Sequence, residues 1–236
     1  MGVLLNKIQK GQLKIGDHIY SWRRAYIYAH HGIYVGDEKV IHFTQAARQE
    51  TGKRNVFDDL IFNSCTFPGL HCPTCGDQSK LDGVISSCLD CFLSGRDLYR
   101  FEYGVDIYTF LAETPGGTCT RAFADPPEQV VHRASFLLEN GGFGTYNLFK
   151  RNCIDFAIYC KTGFLEDAKF SVRRCVQVAS SLLGGTRAFI FSKAKRYTYV
   201  KPICGGLYDV SRLLSDVGFR HDATRIAVED LVNGER

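Results

Sequence analysis

The chain has 236 residues, of which 45% are hydrophobic and 13% aromatic, enough to bury one substantial core and an appendage. Its formal net charge is only +4, and no basic stripe interleaved with aromatic residues dominates it, so nucleic acid is not expected as a partner. The sequence has no phosphate-binding glycine motif, GxSxG elbow or paired-carboxylate signature, which narrows the reaction classes to consider.

The N-terminal residues carry no secretory signal. Residues 1–8 lack a charged region followed by a full apolar core and a small-residue cleavage site. A cytoplasmic location is therefore predicted, and peripheral contact with a membrane also fits the modest positive charge. Gly2 invites myristoylation, but that motif usually has Ser or Thr where Asn6 stands, so an unmodified N-terminus is favoured.

Two β-rich runs between Tyr28 and Phe43 are joined by the turn sequence Gly36-Asp37-Glu38-Lys39. They predict a hairpin in which His30 and His42 are cross-strand neighbours. One imidazole could then act as a general base while the other fixes its tautomer and ring orientation. Three further histidines lack such a context and are interpreted as ordinary surface or partly buried residues: His18, His132 and His221.

Ten cysteines in a reducing compartment argue against disulfides and for thiols, metal ligands or both. Two Cys-x-x-Cys knuckles, separated by twelve residues, come close to the spacing of a four-thiolate zinc ribbon. We predict a structural zinc ion, because four thiolates leave no open position for a catalytic water. The predicted ligands are Cys72, Cys75, Cys88 and Cys91.

The Cys-rich region, residues 61–96, is interpreted as a small zinc-ribbon-like insertion. It could serve as a lid, as a docking surface for a protein partner, or as a stabilised long loop. Cys65 and His71 are the substitutes should one ligand be absent. Free buried thiols or redox pairs are the alternative to a metal site.

Beyond this region, Tyr99, Phe101 and Tyr103 alternate with polar residues, which predicts a half-buried strand that continues the sheet next to the hairpin. A helix is then predicted from Asp125-Pro126-Pro127-Glu128, with Asp125 as the cap and Glu128 completing a capping box. This helix should pack on the sheet and end near Asn140.

Cys153 follows a glycine-rich stretch and begins a new apolar pattern. Cys153, Phe156, Ala157 and Cys160 recur at helical spacing before Gly163, which places Cys153 in a first helical turn. A thiol at a helix N-terminus and near an imidazole becomes a good nucleophile. Cys153 with His30 and His42 therefore predicts an acyl-transfer site.

The tail shows apolar residues at near-helical spacing from Phe170 to Phe191. Gly184 and Gly185 interrupt this run, which is too short and too polar to span a bilayer. A packed helix is favoured over an interfacial anchor. The segment from Ser211 to Val232 is interpreted as one more amphipathic helix.

Three segments resemble the lecithin:retinol acyltransferase-like proteins, a part of the permuted NlpC/P60 group of papain-like enzymes. The resemblance covers residues 12–60 and 97–163, and the Cys-rich insertion is similar to that of plant-type members. It implies an α+β fold, a circularly permuted papain-like domain with an antiparallel sheet and packed helices. The segments are His30-His31-Gly32-Ile33-Tyr34-Val35-Gly36-Asp37, Val40-Ile41-His42-Phe43 and Asn152-Cys153-Ile154-Asp155-Phe156.

The resemblance implies that His30 is the general base, that His42 orients it, and that Cys153 is the nucleophile that becomes a thioester. It further implies that the Cys153 backbone N–H and the Tyr28 hydroxyl stabilise the oxyanion. Many animal members have Glu-His where this chain has Ile154-Asp155, which keeps the nucleophile but alters the surroundings of the cleft.

The predicted organisation is a discontinuous catalytic domain of residues 1–60 and 97–165, the insertion 61–96 and a C-terminal helical extension 166–236. The implied function is a thiol acyltransferase or phospholipase A-type acyl hydrolase acting on the acyl chain of a glycerophospholipid, with structural zinc and no organic cofactor. Two alternatives stay open. One is an NlpC/P60-type cysteine amidase or peptidase, and the other is a non-catalytic protein that docks through its zinc insertion.

Overall fold

The computed structural model describes residues 6–23, 28–45, 72–78, 81–112, 118–147, 151–166, 209–210, 212–214, 216–220 and 223–234. The side chain of Tyr28 also falls outside this description, although its backbone is included. The predictions made for Gly2, Cys65, His71, His221 and the segment 170–191 lie outside the described residues.

Five strands form one antiparallel sheet with the order β4-β3-β2-β1-β5. The predicted hairpin of β2 and β3 is confirmed. Its turn places Asp37 and Glu38 at φ of 47° and 53°, the two-residue geometry that matches the twist of paired strands. The strands are β1 (His18–Arg23), β2 (Tyr28–Gly36), β3 (Lys39–Thr44), β4 (Gly83–Cys88) and β5 (Tyr99–Arg100).

The strand predicted after the Cys-rich region is β5, and it pairs with β1. The prediction that this strand would pair with the hairpin was therefore wrong, because β5 pairs with neither β2 nor β3. The physical reason is that β4 already occupies the free edge of β3 along its whole length. The predicted inward face is confirmed, since Tyr99 and Phe101 are buried in one cluster with Tyr20 and Trp22 of β1.

Five α-helices with defined bounds accompany the sheet in the described part of the chain, together with a short 3-10 helix at Lys10–Gln12 and helical residues at 209–210 and 212–214, and the prediction of an α+β fold is confirmed. A separate two-stranded sheet pairs β6 (Phe164–Glu166) with β7 (Ala223–Arg225). The helices are α1 (Leu89–Leu93), α2 (Ile107–Ala112), α3 (Pro127–Asn140), α4 (Cys153–Thr162) and α5 (Val228–Asn233).

The two faces of the main sheet have different covers. Strand alternation directs Ile33, Ile41 and Phe43 toward α3 and α4, where they join the largest hydrophobic cluster. The opposite face carries Ile19 and Val40, which pack against α1 and Leu98. Because α1 comes from the Cys-rich region, that region completes the hydrophobic core on the second face.

Helix α3 begins one residue later than predicted and without the predicted cap. Its N-cap is Pro126, and no side chain caps it. The Asp125 carboxylate instead accepts hydrogen bonds from Arg133 at 2.6 Å and Arg225 at 2.7 Å, which ties α3 to β7. The predicted end at Asn140 is confirmed, followed by Gly141 at a φ of 71°.

The C-terminal segment is not the single helix predicted for residues 211–232. Residues 212–214 are helical, β7 intervenes, and α5 begins at Val228. The reason is that residues 223–225 take an extended backbone to pair with β6, a partner that no local pattern in the segment indicates. At Gly218 the chain also passes so close to a neighbouring segment that a Cβ atom would lie only 2.3 Å from the backbone nitrogen of Ala122. Within the described ranges, no helix combines the length and the apolar character that a membrane crossing requires.

Gly32 offers a test of how closely α1 covers the sheet. A Cβ at this position would lie 2.7 Å from Val40 Cγ1 and 3.0 Å from the ring of Phe92. We expect Gly32→Ala to destabilise the protein by about 1–3 kcal/mol, because both neighbours must shift. Urea unfolding followed by circular dichroism would measure this. Gly11→Ala, where no atom lies within 4 Å, should change the stability by under about 0.5 kcal/mol. Equal effects of the two substitutions would contradict the prediction.

Candidate active site and candidate metal centre

Cys153 is the first residue of α4, as predicted, and a reciprocal cap holds this helix end. Asn152 Oδ1 accepts hydrogen bonds from the backbone N–H groups of Ile154 at 3.0 Å and Asp155 at 3.3 Å. The Asp155 carboxylate in turn accepts from the backbone N–H of Asn152 at 2.9 Å. Asp155, which departs from the animal motif, thus completes a capping box. An oxyanion could not use the N–H groups of residues 154 and 155 without breaking this cap.

The Cys153 thiol is fully buried and touches the strand that carries His30. Its Sγ lies 3.8 Å from the carbonyl oxygen of Ala29, the residue before His30. The β2–β3 ladder starts only at Gly32, so Ala29 and His30 lie beyond its end. The contact of the thiol is with the backbone of Ala29, while the His30 ring lies against Phe92 on the side of the sheet that α1 covers.

His30 and His42 are hydrogen-bonded to each other. His30 Nε2 lies 3.0 Å from His42 Nδ1, and the two rings meet edge to face with centroids 4.8 Å apart. In the strand register His42 is opposite Gly32, so the two histidines are diagonal neighbours. Nδ1 of His30 is buried and makes no hydrogen bond to any described residue, so a hydrogen bond from this atom to the Cys153 thiol is not formed in this structure.

Residues that the sequence did not single out complete the surroundings of the pair. His42 Nε2 lies 2.7 Å from the hydroxyl of Ser87 on β4, and the ring of Phe92 on α1 lies 5.2 Å from that of His30. Arg23 donates to the carbonyl oxygens of Phe92 and Leu93 at the end of α1. Two features of the sequence could have indicated these residues. Ser87 is a polar residue at an inward position of a strand, and Arg23 is a charged residue at the end of a buried strand.

Both histidines are neutral at physiological pH. Burial, with smaller contributions from His42 and Arg23, holds the pKa of His30 well below its ordinary value of 6.5. Burial and the nearby Arg23 cation lower the pKa of His42 to about 3. A neutral imidazole has a lone pair that can accept a proton from a thiol, although the lowered pKa makes buried His30 a weaker base than a free histidine.

His18 was interpreted as a surface or partly buried residue, and that interpretation was wrong. It is 1% exposed, stacks on Phe101, and lies 2.7 Å from the Tyr103 hydroxyl and 2.9 Å from His31 Nδ1. The alternation of His18 with Tyr20 on an inward strand face was the missed signal. His132 is half-exposed beside Glu229 at 3.0 Å, as interpreted.

Tyr28 is the first residue of β2, with its backbone opposite Arg23. This places it two residues before His30, at the end of the strand near the thiol contact of Ala29. The position of its hydroxyl lies outside the described part of the chain. Its oxyanion role therefore stays a prediction.

The four predicted metal ligands come together. The sulfur atoms all lie within 4.8 Å of one another, and the Sγ atoms of Cys72 and Cys88 are 3.8 Å apart. A tetrahedron with zinc–sulfur bonds of about 2.3 Å has sulfur atoms about 3.8 Å apart, and the Cys72–Cys88 separation has this value, so the cluster is compatible with a metal ion held by four sulfurs. These ligands are Cys72, Cys75, Cys88 and Cys91.

Backbone N–H groups donate to sulfurs of this cluster, but the thiolate is favoured at Cys72 and disfavoured at Cys75 and Cys91, whose pKa values burial raises. Cys75 Sγ accepts from the N–H of Cys88 at 3.0 Å, and the N–H of Gly76, at a φ of 68°, closes the first knuckle on the carbonyl of Cys72. Backbone N–H groups lower the pKa of Cys72 to about 6, whereas burial raises the pKa of Cys91. Four neighbouring thiolates repel each other, so full deprotonation requires a cation at the centre.

Comparison with known proteins identifies the class. The sequence profile of the family described as "Lecithin retinol acyltransferase" matches residues 11–166, about two thirds of the chain. The chain therefore belongs to the lecithin retinol acyltransferase family. It is also 50% identical over 237 residues to "Protein LEAD-SENSITIVE 1" of Arabidopsis thaliana, an alignment that covers 98% of this chain and 90% of the relative. This similarity confirms the prediction of a plant-type member.

The buried histidines predict how stability depends on pH. Burial lowers the pKa of His18, His30 and His42, so below pH 6.5 the unfolded chain binds protons that the folded chain does not. The free energy of unfolding should fall as the pH falls from 6.5 to 5, with a slope approaching about 4 kcal/mol per pH unit for three protons.

Urea unfolding at several pH values would measure this slope. His18→Phe keeps an aromatic ring against Phe101 and removes one titrating group, so its slope should be smaller by about one proton. A stability that does not change over this range would mean that the histidines are charged in the folded protein.

Proposed function

We propose that this chain is a cysteine-dependent acyltransferase or acyl hydrolase that takes an acyl group from a glycerophospholipid and carries it as a thioester on Cys153. Family membership supports acyl transfer as the general chemistry. The observation that carries the proposal is the meeting of a helix-N-terminal thiol with the strand that carries His30, a neutral histidine whose Nδ1 is unengaged among the described residues.

The proposed reaction has two halves. In the first half, Nδ1 of His30 takes the thiol proton, and the Cys153 sulfur bonds to the ester carbonyl carbon. The carbon–oxygen bond of the ester breaks, and the lysophospholipid leaves with the proton from His30. In the second half, His30 takes a proton from an acceptor or from water, whose oxygen or nitrogen attacks the thioester and regenerates the thiol.

The surrounding groups have supporting roles in this proposal. His42 holds His30 through Nε2, which keeps Nδ1 turned away from the pair. The Cys153 backbone N–H and the Tyr28 hydroxyl are the proposed donors to the oxyanion. Because Cys153 is fully buried, the groups that cover it must move before an acyl ester can reach the sulfur.

The finer architectural and cellular assignments are also proposals. The chain order of His30, His42 and Cys153 places the histidines before the nucleophile, whereas papain has its cysteine first, and this order supports a circularly permuted papain-like domain. We place the protein in the cytoplasm with peripheral contact to the membrane that holds its lipid substrate. The Cys-rich region remains the proposed surface for a protein partner.

The four-cysteine cluster is proposed to hold a structural zinc ion. Its size and its all-sulfur ligands fit zinc, and a closed tetrahedron leaves no position for a reacting water. Thiolates also bind other soft divalent ions, and the name of the Arabidopsis relative refers to sensitivity to lead. Lead is therefore the competing ion to test at this cluster.

The acyl-enzyme can be detected directly. After incubation with a short-chain phosphatidylcholine, intact-mass spectrometry of the wild type should show one added acyl group that hydroxylamine removes, because thioesters react with hydroxylamine. Cys153→Ala should show no such adduct. Cys160→Ala, which removes a buried thiol two turns along the same helix, is the matched control and should keep it.

Two outcomes would count against the lipid proposal. An adduct that persists in Cys153→Ala would place the reaction elsewhere. If no acyl adduct forms and an amine is released from an amide substrate instead, the NlpC/P60-type amidase or peptidase alternative would take its place. The non-catalytic alternative requires that Cys153→Ala leaves the biological effect intact while Cys72→Ser and Cys75→Ser abolish it.

The metal proposal predicts that protein purified under reducing conditions contains one zinc ion per chain at the Cys72, Cys75, Cys88 and Cys91 cluster. Cys72→Ser and Cys91→Ser should lower the zinc content to a small fraction, as measured by elemental mass spectrometry. Cys119→Ala, which removes a buried thiol outside the cluster, should retain it. Added Pb²⁺ should displace zinc from the wild type. Equal zinc content in all variants would contradict the assignment.

A further inference from the structure

A continuous series of hydrogen bonds leads from His30 into the Cys-rich region. His30 is bonded to His42, and His42 Nε2 lies 2.7 Å from Ser87 Oγ. The Ser87 hydroxyl donates to Gln78 Oε1 at 2.6 Å, and the Gln78 amide nitrogen donates to the carbonyl of Ser86 at 2.7 Å. Gln78 follows Cys75 by three residues, and Ser87 directly precedes Cys88.

The carbonyl of Ser86, at the end of the series farthest from His30, determines which atom donates and which accepts in every bond. The carbonyl of Ser86 can only accept, so the NH₂ group of Gln78 faces it and Oε1 faces Ser87. The single hydroxyl proton of Ser87 goes to Gln78, so its oxygen must accept a proton from Nε2 of His42. The proton of neutral His42 is therefore on Nε2, and its Nδ1 is the acceptor.

The same reasoning assigns the tautomer of His30. Because Nδ1 of His42 accepts, Nε2 of His30 must donate to it. His30 is neutral, so its remaining nitrogen, Nδ1, carries the lone pair. This is the buried nitrogen that makes no hydrogen bond within the described residues. Ser87 and Gln78 thus leave the proton-accepting atom of His30 on the side away from the pair.

The cysteine cluster holds the two ends of this series in place. Gln78 lies in the described stretch 72–78, which meets β4 through the 3.8 Å approach of Cys72 and Cys88 and through the hydrogen bond of the Cys88 N–H to Cys75. Phe92, next to Cys91, lies on both imidazoles with ring centroids 5.2 and 5.5 Å away. A metal that joins the four sulfurs would fix Gln78 against Ser87 and Phe92 against the histidines.

We propose that the metal-bound four-cysteine cluster positions the general base: through Gln78 and Ser87 it holds His42, and hence His30, in the tautomer that accepts the proton of Cys153. The inference rests on the proposed function and adds Ser87 and Gln78 to it as positioning residues. Neither touches the reacting atoms. Their effect should therefore appear in the rate of acylation and not in substrate binding.

The test compares Ser87→Ala and Gln78→Ala with the wild type in the rate of thioester formation on Cys153. Each variant should lower the maximal rate about 10- to 100-fold and leave KM unchanged, because outer hydrogen-bond partners of this kind act through orientation. Ser87→Thr, which keeps a hydroxyl, should restore the rate. Gln129→Ala, at an exposed glutamine of α3, is the matched control and should have no effect.

Metal removal tests the coupling to the cluster. Chelation under reducing conditions should lower the rate of the wild type to about that of Ser87→Ala. Chelation of Ser87→Ala itself should add little, because both changes interrupt the same series of bonds. If the two effects multiply, the metal acts by a separate route and the inference fails.

A second measurement does not depend on activity. Nitrogen chemical shifts of ¹⁵N-labelled histidine distinguish protonated from unprotonated ring nitrogens. They should report an unprotonated Nδ1 on His30 in the zinc-loaded wild type and a mixture of tautomers in Ser87→Ala or after chelation. A single unchanged tautomer in all three samples would overturn the inference, even with thioester chemistry intact. Absence of a thioester in the wild type would overturn the proposed function alone.

Discussion

Three of the four ring nitrogens of His30 and His42 find hydrogen-bond partners inside the protein, and this requirement of buried imidazoles connects most of the features described here. His30 and His42 are each 2% exposed, and water does not reach the nitrogens that join them. His42 bonds to a serine, and the serine to a glutamine. Each partner comes from a different strand or loop. These hydrogen bonds therefore hold the Cys-rich region against the sheet.

The Cys-rich region is consequently part of the core architecture. Its strand β4 continues the sheet at the edge of β3, and its helix α1 buries Leu89 and Phe92 against the second face. Gly32 leaves the space that Phe92 enters. Arg23 at the C-terminus of α1 satisfies the last carbonyls of that helix and keeps a positive charge near the histidines. A single buried cation thus has both a structural and an electrostatic effect.

Local patterns in the sequence were sufficient to predict the elements that carry the candidate sites. The hairpin followed from its turn residues, the start of α4 from apolar spacing, and the cysteine cluster from the spacing of two knuckles. These features depend on residues close together in the chain, so their physical causes are visible in a short window. The family resemblance then supplied roles for His30, His42 and Cys153 that spacing alone does not provide.

What the sequence did not show depends on contacts between distant segments. β5 pairs with β1 because β4 occupies the other edge, and no local pattern encodes which edge remains open. Asp125 has the spacing of a helix cap, but two arginines, one of them 100 residues away, compete successfully for its carboxylate. His18 and Ser87 are polar residues at inward strand positions, where burial depends on the elements that later cover the sheet.

The pairing of β6 with β7 changes how the C-terminal part of the chain should be viewed. The chain leaves the matched family region at Glu166 and returns at Ala223 to the strand it has just left. The residues that flank the intervening stretch are thereby fixed beside each other. Within that stretch the chain also returns to the domain, because the Asp216 carboxylate accepts hydrogen bonds from Thr120 and Arg121 and Val217 is buried in the cluster of Tyr20 and Tyr99. The C-terminal part is thus bound to the domain at two places, through Asp216 and through the bond of Arg225 to Asp125, and each attachment should vary together with the residues that it contacts.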